Sequence, residues 1–396
     1  MIDAIVAGHL CVDIMPQITD PSTAASENFL APGRLTEVGA AILSPGGSVS
    51  NTGLSMHVLG LDVRLVGRIG DDVMGNVARQ LLSSRGPHLG EGLTVAHGEP
   101  SSYTIVISAP GFDRTFLHCT GTNNTFGHED ISPALLDQAR LLHFGYPTLV
   151  RRMYAEEEEL ATLYRLGKAH GVTTSLDFAM PDPTRASGKA DWPAILSRTL
   201  PYVDLFLPSV EELLIMLNRR LYDHLINSVG AAGMLDALTV EDVADLAARA
   251  LALGTQIMVI KCGHRGIYVR SQASLHDMGR GTPRCLAEWA GREIWSPCFG
   301  VKVVNAVGAG DAAIAGFITG MLSGQTLAQA VTSAVAVGAC NCEAADSTSG
   351  LRSWAETQAR IQSGWPRMDA GIQSAGWVWD REEGLFRGPH DRTQNA

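Results

Sequence analysis

Positive charge is scarce in this 396-residue chain: 30 lysines and arginines face 41 aspartates and glutamates, a net charge of −11. That balance argues against a broad nucleic-acid or anionic-membrane surface, although helix N-termini in an acidic protein still hold small anions. Charge of either sign is sparse, at 18%, while 45% of residues are apolar, so extended disorder is excluded. No apolar run approaches the ~20 residues of a membrane span. The opening MIDAIVAGHLCVDI lacks a basic segment and is interrupted by Asp3, His9 and Asp13, so it reads as a strand rather than a leader. The seven cysteines contain no C-x-x-C pair, which fits a reducing, cytoplasmic setting. Cys340 and Cys342 flank one residue, but no second pair completes a zinc site, and buried thiols are the better account. No G-x-x-x-x-G-K-[ST] occurs, which disfavours a P-loop enzyme.

Glycine, in contrast, is abundant. Its 42 residues exceed the usual ~7%, and without a G-X-Y period they belong in turns and loops rather than collagen. The length alone suggests two or three units at roughly 150 residues each.

Short apolar runs alternate with helical patterns throughout, which predicts an α/β fold with a largely parallel sheet. The predicted core strands cover 4–8, 63–69, 140–145, 173–178, 204–208, 257–262 and 266–270, and the predicted helices 50–60, 73–84, 150–170, 209–218, 240–253, 311–323 and 326–343. Glu156 to Glu159 read as a solvated helix face. Residues 14–45 and 93–120 lack helical periodicity and hold strand-like pieces, LTEVGAAIL and SYTIVIS, that suit a small β-sheet lid. The tail from about 366 carries no motif, and its last ten residues are expected to be loose.

The strongest local signal is NAVGAGDAAIAGF at 305–317. Gly308, Ala309 and Gly310 bring bare backbone to the start of an Ala-rich helix, whose free first-turn N–H groups form an anion site. Asp311 beside them repels a resting anion and makes chemical sense as a general base for a phosphoryl group in transfer. The plainer account is that Asp311 only caps the helix. The same loop also fits G-x-G-x-x-A, the turn of a dinucleotide-binding oxidoreductase, but it lies late in the chain and the next acid is Glu343. A second cluster, SPGGSVSNTG, offers Gly46 and Gly47 for close backbone approach and Asn51 as both donor and acceptor, suited to sugar hydroxyls; a tight turn capped by Asn51 is the alternative. GDDVMG at 70–75 reads as a capped turn, and KCGHRG places Gly263 and Gly266 between two strands. Glu211 and Glu212 open a helix, where the macrodipole alone accounts for them.

In their order these motifs resemble the ribokinase-like (phosphofructokinase B) family of carbohydrate and nucleoside kinases, over about residues 4 to 350. The resemblance implies a three-layer α/β core made of 1–13, 46–92 and 121–365, a lid of 14–45 and 93–120, and a C-terminal extension from 366 to 396. It implies ATP and Mg2+ as cofactors, Asp311 as catalytic base, and the amides of Gly308, Ala309, Gly310 and Asp311 as an anion hole. Asp13, Gly46, Gly47 and Asn51 match the acceptor-binding positions. Lys261, Gly263 and Gly266 lie in the stretch that resembles the nucleotide-binding turn, with Asn341 on the helix beside the adenine. Ser209 stands where the family has an Asn, and Glu212 retains the acid linked to magnesium. The residues Asn305-Ala306-Val307 replace a leading Asp, so weak or absent potassium activation is expected. The implied partners are a sugar or nucleoside and a second subunit through the lid, with neither nucleic acid nor membrane. A nucleoside kinase, a silent sugar-binding regulator and an oxidoreductase are the alternatives. Lid aromatics such as Tyr103, Phe112 and Phe116 serve equally as packing or as base-stacking groups.

Overall fold

The computed structural model describes residues 1–18, 32–33, 35–108 and 115–394. The strands within them are β1 (Ile2–Gly8), β2 (Cys11–Pro16), β3 (Ala41–Gly46), β4 (Val63–Gly70), β5 (Leu93–Ala96), β6 (Tyr103–Ile107), β7 (Thr115–Cys119) and β8 (Ala139–Gly145). Then follow β9 (Thr173–Asp177), β10 (Leu205–Phe206), β11 (Ile257–Lys261), β12 (Ile267–Ser271), β13 (Glu293–Ser296), β14 (Val378–Asp380) and β15 (Leu385–Arg387).

Eleven of these strands form one sheet in the order β14-β15-β13-β12-β11-β10-β9-β8-β1-β4-β5. From β11 to β5 every pairing is parallel, and from β11 outward to β14 every pairing is antiparallel. Parallel strands are buried on both faces, and β1 shows why its sequence is uninterrupted apolar. Ala4 and Val6 enter the helical layer on one side of the sheet, while Ile5 and Ala7 enter the other. The remaining strands form a separate sheet in the order β3-β2-β6-β7.

One layer is built on small residues. Residues 311–322 of the helix Ala309–Leu322 are all buried, so this helix is apolar on every side rather than along one stripe. A Cβ on Gly316 would stand 2.9 Å from Val337 Cγ2, and so glycine permits the close approach of the helix Leu327–Asn341.

Several expectations are corrected by packing. The predicted helix 150–170 breaks into Arg151–Ala155 and Glu159–Ala169, because Glu159 turns inward to accept from the His128 amide at 2.8 Å. Residues 93–96 pair with β4 in the main sheet rather than joining the small one, and Cys11 and Asp13 belong to the small sheet rather than the core. LTEVGAAIL is a strand only from Ala41 onward. The helices Trp192–Thr199, Arg219–Ser228, Gly230–Ala237 and Trp354–Gln362 were not anticipated. The tail is packed through its described residues: Leu385 is fully buried, and buried Asp391 accepts from Arg292 Nε at 2.9 Å. Segments 19–31, 34 and 109–114 of the expected lid, Phe112 included, lie outside the described residues, as do 395–396.

Candidate active site

The carboxyl ends of the parallel strands converge on one place, where ligands bind in open α/β sheets. Tyr146 follows β8, Asp177 ends β9, Ser209 follows β10, and Lys261 ends β11. The helix Ala309–Leu322 starts there too, capped by Gly308 in the left-handed conformation at φ 75°. Asp311 sits in its first turn but caps nothing. Its carboxylate accepts from Tyr146 Oη at 2.7 Å, Asn51 Nδ2 at 3.1 Å and Thr52 Oγ1 at 3.1 Å. Burial raises the Asp311 pKa above the ordinary carboxylate value, opposed most by the Tyr146 hydrogen bond and the nearby Lys261 ammonium.

Tyr146 itself is held at φ 63°, alone among described non-glycine residues in the left-handed region, which aims its hydroxyl at Asp311. Asn51 is no cap either. It lies inside the helix Ser48–Val58, whose N-cap is Gly47 at φ 86°.

A second charged group adjoins the first. Lys261 Nζ donates to Asp177 Oδ1 at 2.5 Å, and the lysine lies beside Gly310, whose absent Cβ would stand 3.8 Å from Nζ. Burial pulls the Lys261 pKa down, but Asp177 and Glu212 outweigh it and hold the ammonium charged. Burial pushes Asp177 up to about 6 and Glu212 up to about 8. Ser209 and Glu212 form a reciprocal capping box, with Glu212 Oε2 accepting from the Ser209 amide at 2.6 Å, a contact beyond the macrodipole reading of the sequence. Asp177 Oδ2 is buried without a protein donor among the described residues.

A cavity of about 700 Å³ opens beside these groups. Gly308, Ala309, Gly310 and Asp311 line it together with Lys261, Ser209, Glu211 and Glu212. Gly263 and Gly266, in the β11–β12 turn at φ 51° and 102°, line it as well. Asn341 does not: its buried side chain donates to the Val307 carbonyl at 2.9 Å and braces the glycine loop from behind, while Gly338 and Ala339 of the same helix face the cavity. Asn305 also serves the loop, accepting from the Val307 amide at 3.0 Å.

On the other side of Asp311 lies the loop of Gly46 and Gly47, expected from sequence to meet the acceptor. Gly46 pairs with Cys11 in the β2–β3 ladder, and a Cβ on it would overlap the Asp13 carboxylate. A Cβ on Gly47 would stand 2.6 Å from His9 Nδ1. Burial raises Asp13, and it depresses His9 to about 3, leaving a neutral ring whose Nδ1 has no partner among the described residues. His118 approaches it from β7, Nε2 to Nε2 at 3.4 Å. Tyr146, Thr52, Asp177, His9 and His118 were all missed from sequence. A readable signal existed for Tyr146 and Asp177, since both lie at the carboxyl ends of predicted parallel strands, Tyr146 directly after 140–145 and Asp177 within 173–178.

The sequence model of the pfkB family of carbohydrate kinases matches residues 10–354. The chain belongs to that family. It is 26% identical over 339 residues to an ATP-dependent ribose-1-phosphate kinase of Halopiger xanaduensis, covering 86% of this chain and 91% of that one. The fold is that of the Arabidopsis thaliana ribokinase solved with ribose and ATP, at a TM-score of 0.65 and 16% identity over 91% of this chain and 99% of the other. The Thermotoga maritima ribokinase superposes at a TM-score of 0.63, with 19% identity over 91% and 100% of the two chains. This pfkB protein is an ATP-dependent carbohydrate kinase, which replaces the oxidoreductase and silent-regulator alternatives. Kinases of this kind use ATP, generally with Mg2+. Among the described residues no helix is long and apolar enough to cross a membrane.

Proposed function

We propose that this kinase transfers the γ-phosphoryl group of ATP to a hydroxymethyl group of a sugar, with Asp311 as general base. The observation that carries this reading is the placement of the Asp311 carboxylate between the acceptor loop, through Asn51 and Thr52, and the 700 Å³ cavity lined by its own helix start. The acceptor oxygen attacks the γ-phosphorus, the bond to the leaving ADP oxygen breaks with its electron pair, and the acceptor proton passes to Asp311. The amides of residues 308–311 act as the anion hole, since first-turn N–H groups lack helical acceptors; the Ala309 amide turns to the anion from the Ala306 carbonyl, to which it donates at 3.2 Å. Lys261 beside Gly310 adds a cation.

Glu211, Glu212 and the unpartnered Asp177 Oδ2 fit the hard oxygen set that Mg2+ takes, directly or through water. When bound, that ion offsets phosphate charge, which a protein of net charge −11 cannot do with a basic patch. Asp13, Gly46, Gly47 and Asn51 bind the acceptor hydroxyls. A nucleoside acceptor is the second reading, favoured by the His9, His118 and Tyr146 rings with centroids 5.2 and 6.2 Å apart around His9. The edge strands of the small sheet expose Ile42, Leu43, Phe116 and Leu117, and a second copy covering them gives a homodimer, checked by sedimentation. A cytoplasmic setting suits the seven free thiols.

The test is ADP release with ribose, fructose, a keto-deoxy sugar, ribose-1-phosphate, inosine and adenosine. Turnover of a sugar supports the reading, turnover of nucleosides alone moves it to the second, and silence across the panel sinks both.

A further inference from the structure

The family match ends at residue 354, yet the chain continues through the helix Trp354–Gln362 and back to the cavity. The residues after that helix are strapped to the cavity wall. Phe299 and Arg367 form an antiparallel bridge, with the Gly300 amide donating to the Pro366 carbonyl at 2.9 Å and the Met368 amide to the Cys298 carbonyl at 2.8 Å. Side chains reinforce the strap as a continuous stack. The Arg360 guanidinium lies 3.6 Å over the Trp365 ring, Trp365 stacks on Phe299 at 4.4 Å and 18°, and the Arg367 guanidinium lies 3.8 Å over Phe299. Arg360 is in turn held by Glu343 at 2.7 Å, just past the helix that carries Gly338 and Ala339.

The result is that Met368, from outside the family-matched region, becomes part of the cavity wall. The same wall carries the apolar Ile267, Val301, Val335 and Ala339 as well as Lys261, Glu212 and the glycine loop. A ligand that combines a charged group with a flat heteroaromatic ring fits this mixed lining. A methionine thioether packs favourably on such a ring.

We infer that Met368 contacts the nucleotide base, and that the strap 365–368 makes this C-terminal extension a determinant of nucleotide affinity and base preference. This rests on the cavity being the ATP site. The Arg360–Trp365–Phe299–Arg367 stack is the positioning device that fixes where Met368 stands.

The experiment uses the full chain. Met368 is 43% exposed, so both Met368→Ala and Met368→Trp should fold. Expected is a rise in KM for ATP of about tenfold in at least one variant, equivalent to ~1.4 kcal/mol. That rise exceeds any fall in kcat, the acceptor KM is unmoved, and the ATP-to-CTP preference in kcat/KM changes. A purely structural role would move both KM values and leave the base preference alone. Val303→Trp, an exposed wall residue within the family match, is the control, read by ATP titration beside the wild type. If it weakens ATP binding while both Met368 variants behave as wild type, the inference falls and the nucleotide cavity stands. If none of the three alters ATP binding, the cavity reading itself falls.

Discussion

Replacing Asp311 by Asn separates its proposed role as base from its place in the scaffold. The carboxylate accepts three hydrogen bonds, at 2.7 Å from Tyr146 and 3.1 Å from each of Asn51 and Thr52. An amide placed in the same rotamer keeps its carbonyl toward Asn51 Nδ2 and Tyr146 Oη. Its NH2 then faces Thr52, whose hydroxyl can rotate to accept. Bonds to a charged group, worth ~1.5–3 kcal/mol each, become neutral ones of ~0.5–1.5. Against that loss, the variant no longer buries a charge that desolvation disfavours. The two effects oppose each other, so the folded state should persist with a melting shift of a few degrees.

The rate should respond very differently. General-base catalysis contributes ~10²–10⁴-fold, or about 2.7–5.4 kcal/mol of barrier. Coupled ADP release at saturating ATP and acceptor is therefore expected to fall by that factor, while ATP binding, measured by titration, stays close to wild type. Turnover near the wild-type level would refute Asp311 as base. Loss of the melting transition would instead make the carboxylate a structural group.

Tyr146→Phe removes the hydroxyl that holds Asp311 down, so kcat should drop roughly tenfold or more. The acid limb of the pH–rate profile, already above an ordinary carboxylate because burial raises Asp311, should move further up; an unmoved limb would count against the bond. Gly46→Ala drives a methyl into the Asp13 carboxylate and should raise the acceptor KM about tenfold (~1.4 kcal/mol) with the ATP KM unchanged; equal change in both would dissociate Gly46 from the acceptor. Glu212 rises from an ordinary value near 4.5 to about 8, so the folded, nucleotide-free protein binds more protons than the unfolded chain between those values. Its stabilisation is complete below pH ~4.5 and is lost as pH rises through ~8. Melting temperature should accordingly fall across that window, and Glu212→Gln should flatten the slope; an identical slope would overturn the assignment. Replacing sodium by potassium should leave turnover nearly unchanged, because Asn305 stands where a cation-holding Asp is otherwise expected, and a several-fold rise would overturn this.

Local sequence was a good guide wherever the physics is local. The apolar runs of β1, β4, β8 and β11 mark strands buried on both faces, and Gly308 to Asp311 mark the start of an Ala-rich helix. The capping residue Asp72 behaves as its spacing suggests, accepting from the Gly75 amide at 2.8 Å. The four glutamates misled, because a charge run reveals nothing about one member, Glu159, meeting the His128 amide and Arg152.

What sequence alone determined was therefore the periodic core, the glycine loops and the carboxylate at the helix start, each set by backbone preferences within a few residues. Only the tertiary structure decided which groups share the site. Lys261 reaches Asp177 across 84 positions because parallel strand order gathers their carboxyl ends, and Tyr146 reaches Asp311 across 165 because the helix Ala309–Leu322 starts at those same ends. The extension shows the same limit. Trp365 and Arg367 carry no motif, and their place against Phe299 exists only once the antiparallel strands β12 and β13 have extended the sheet toward them.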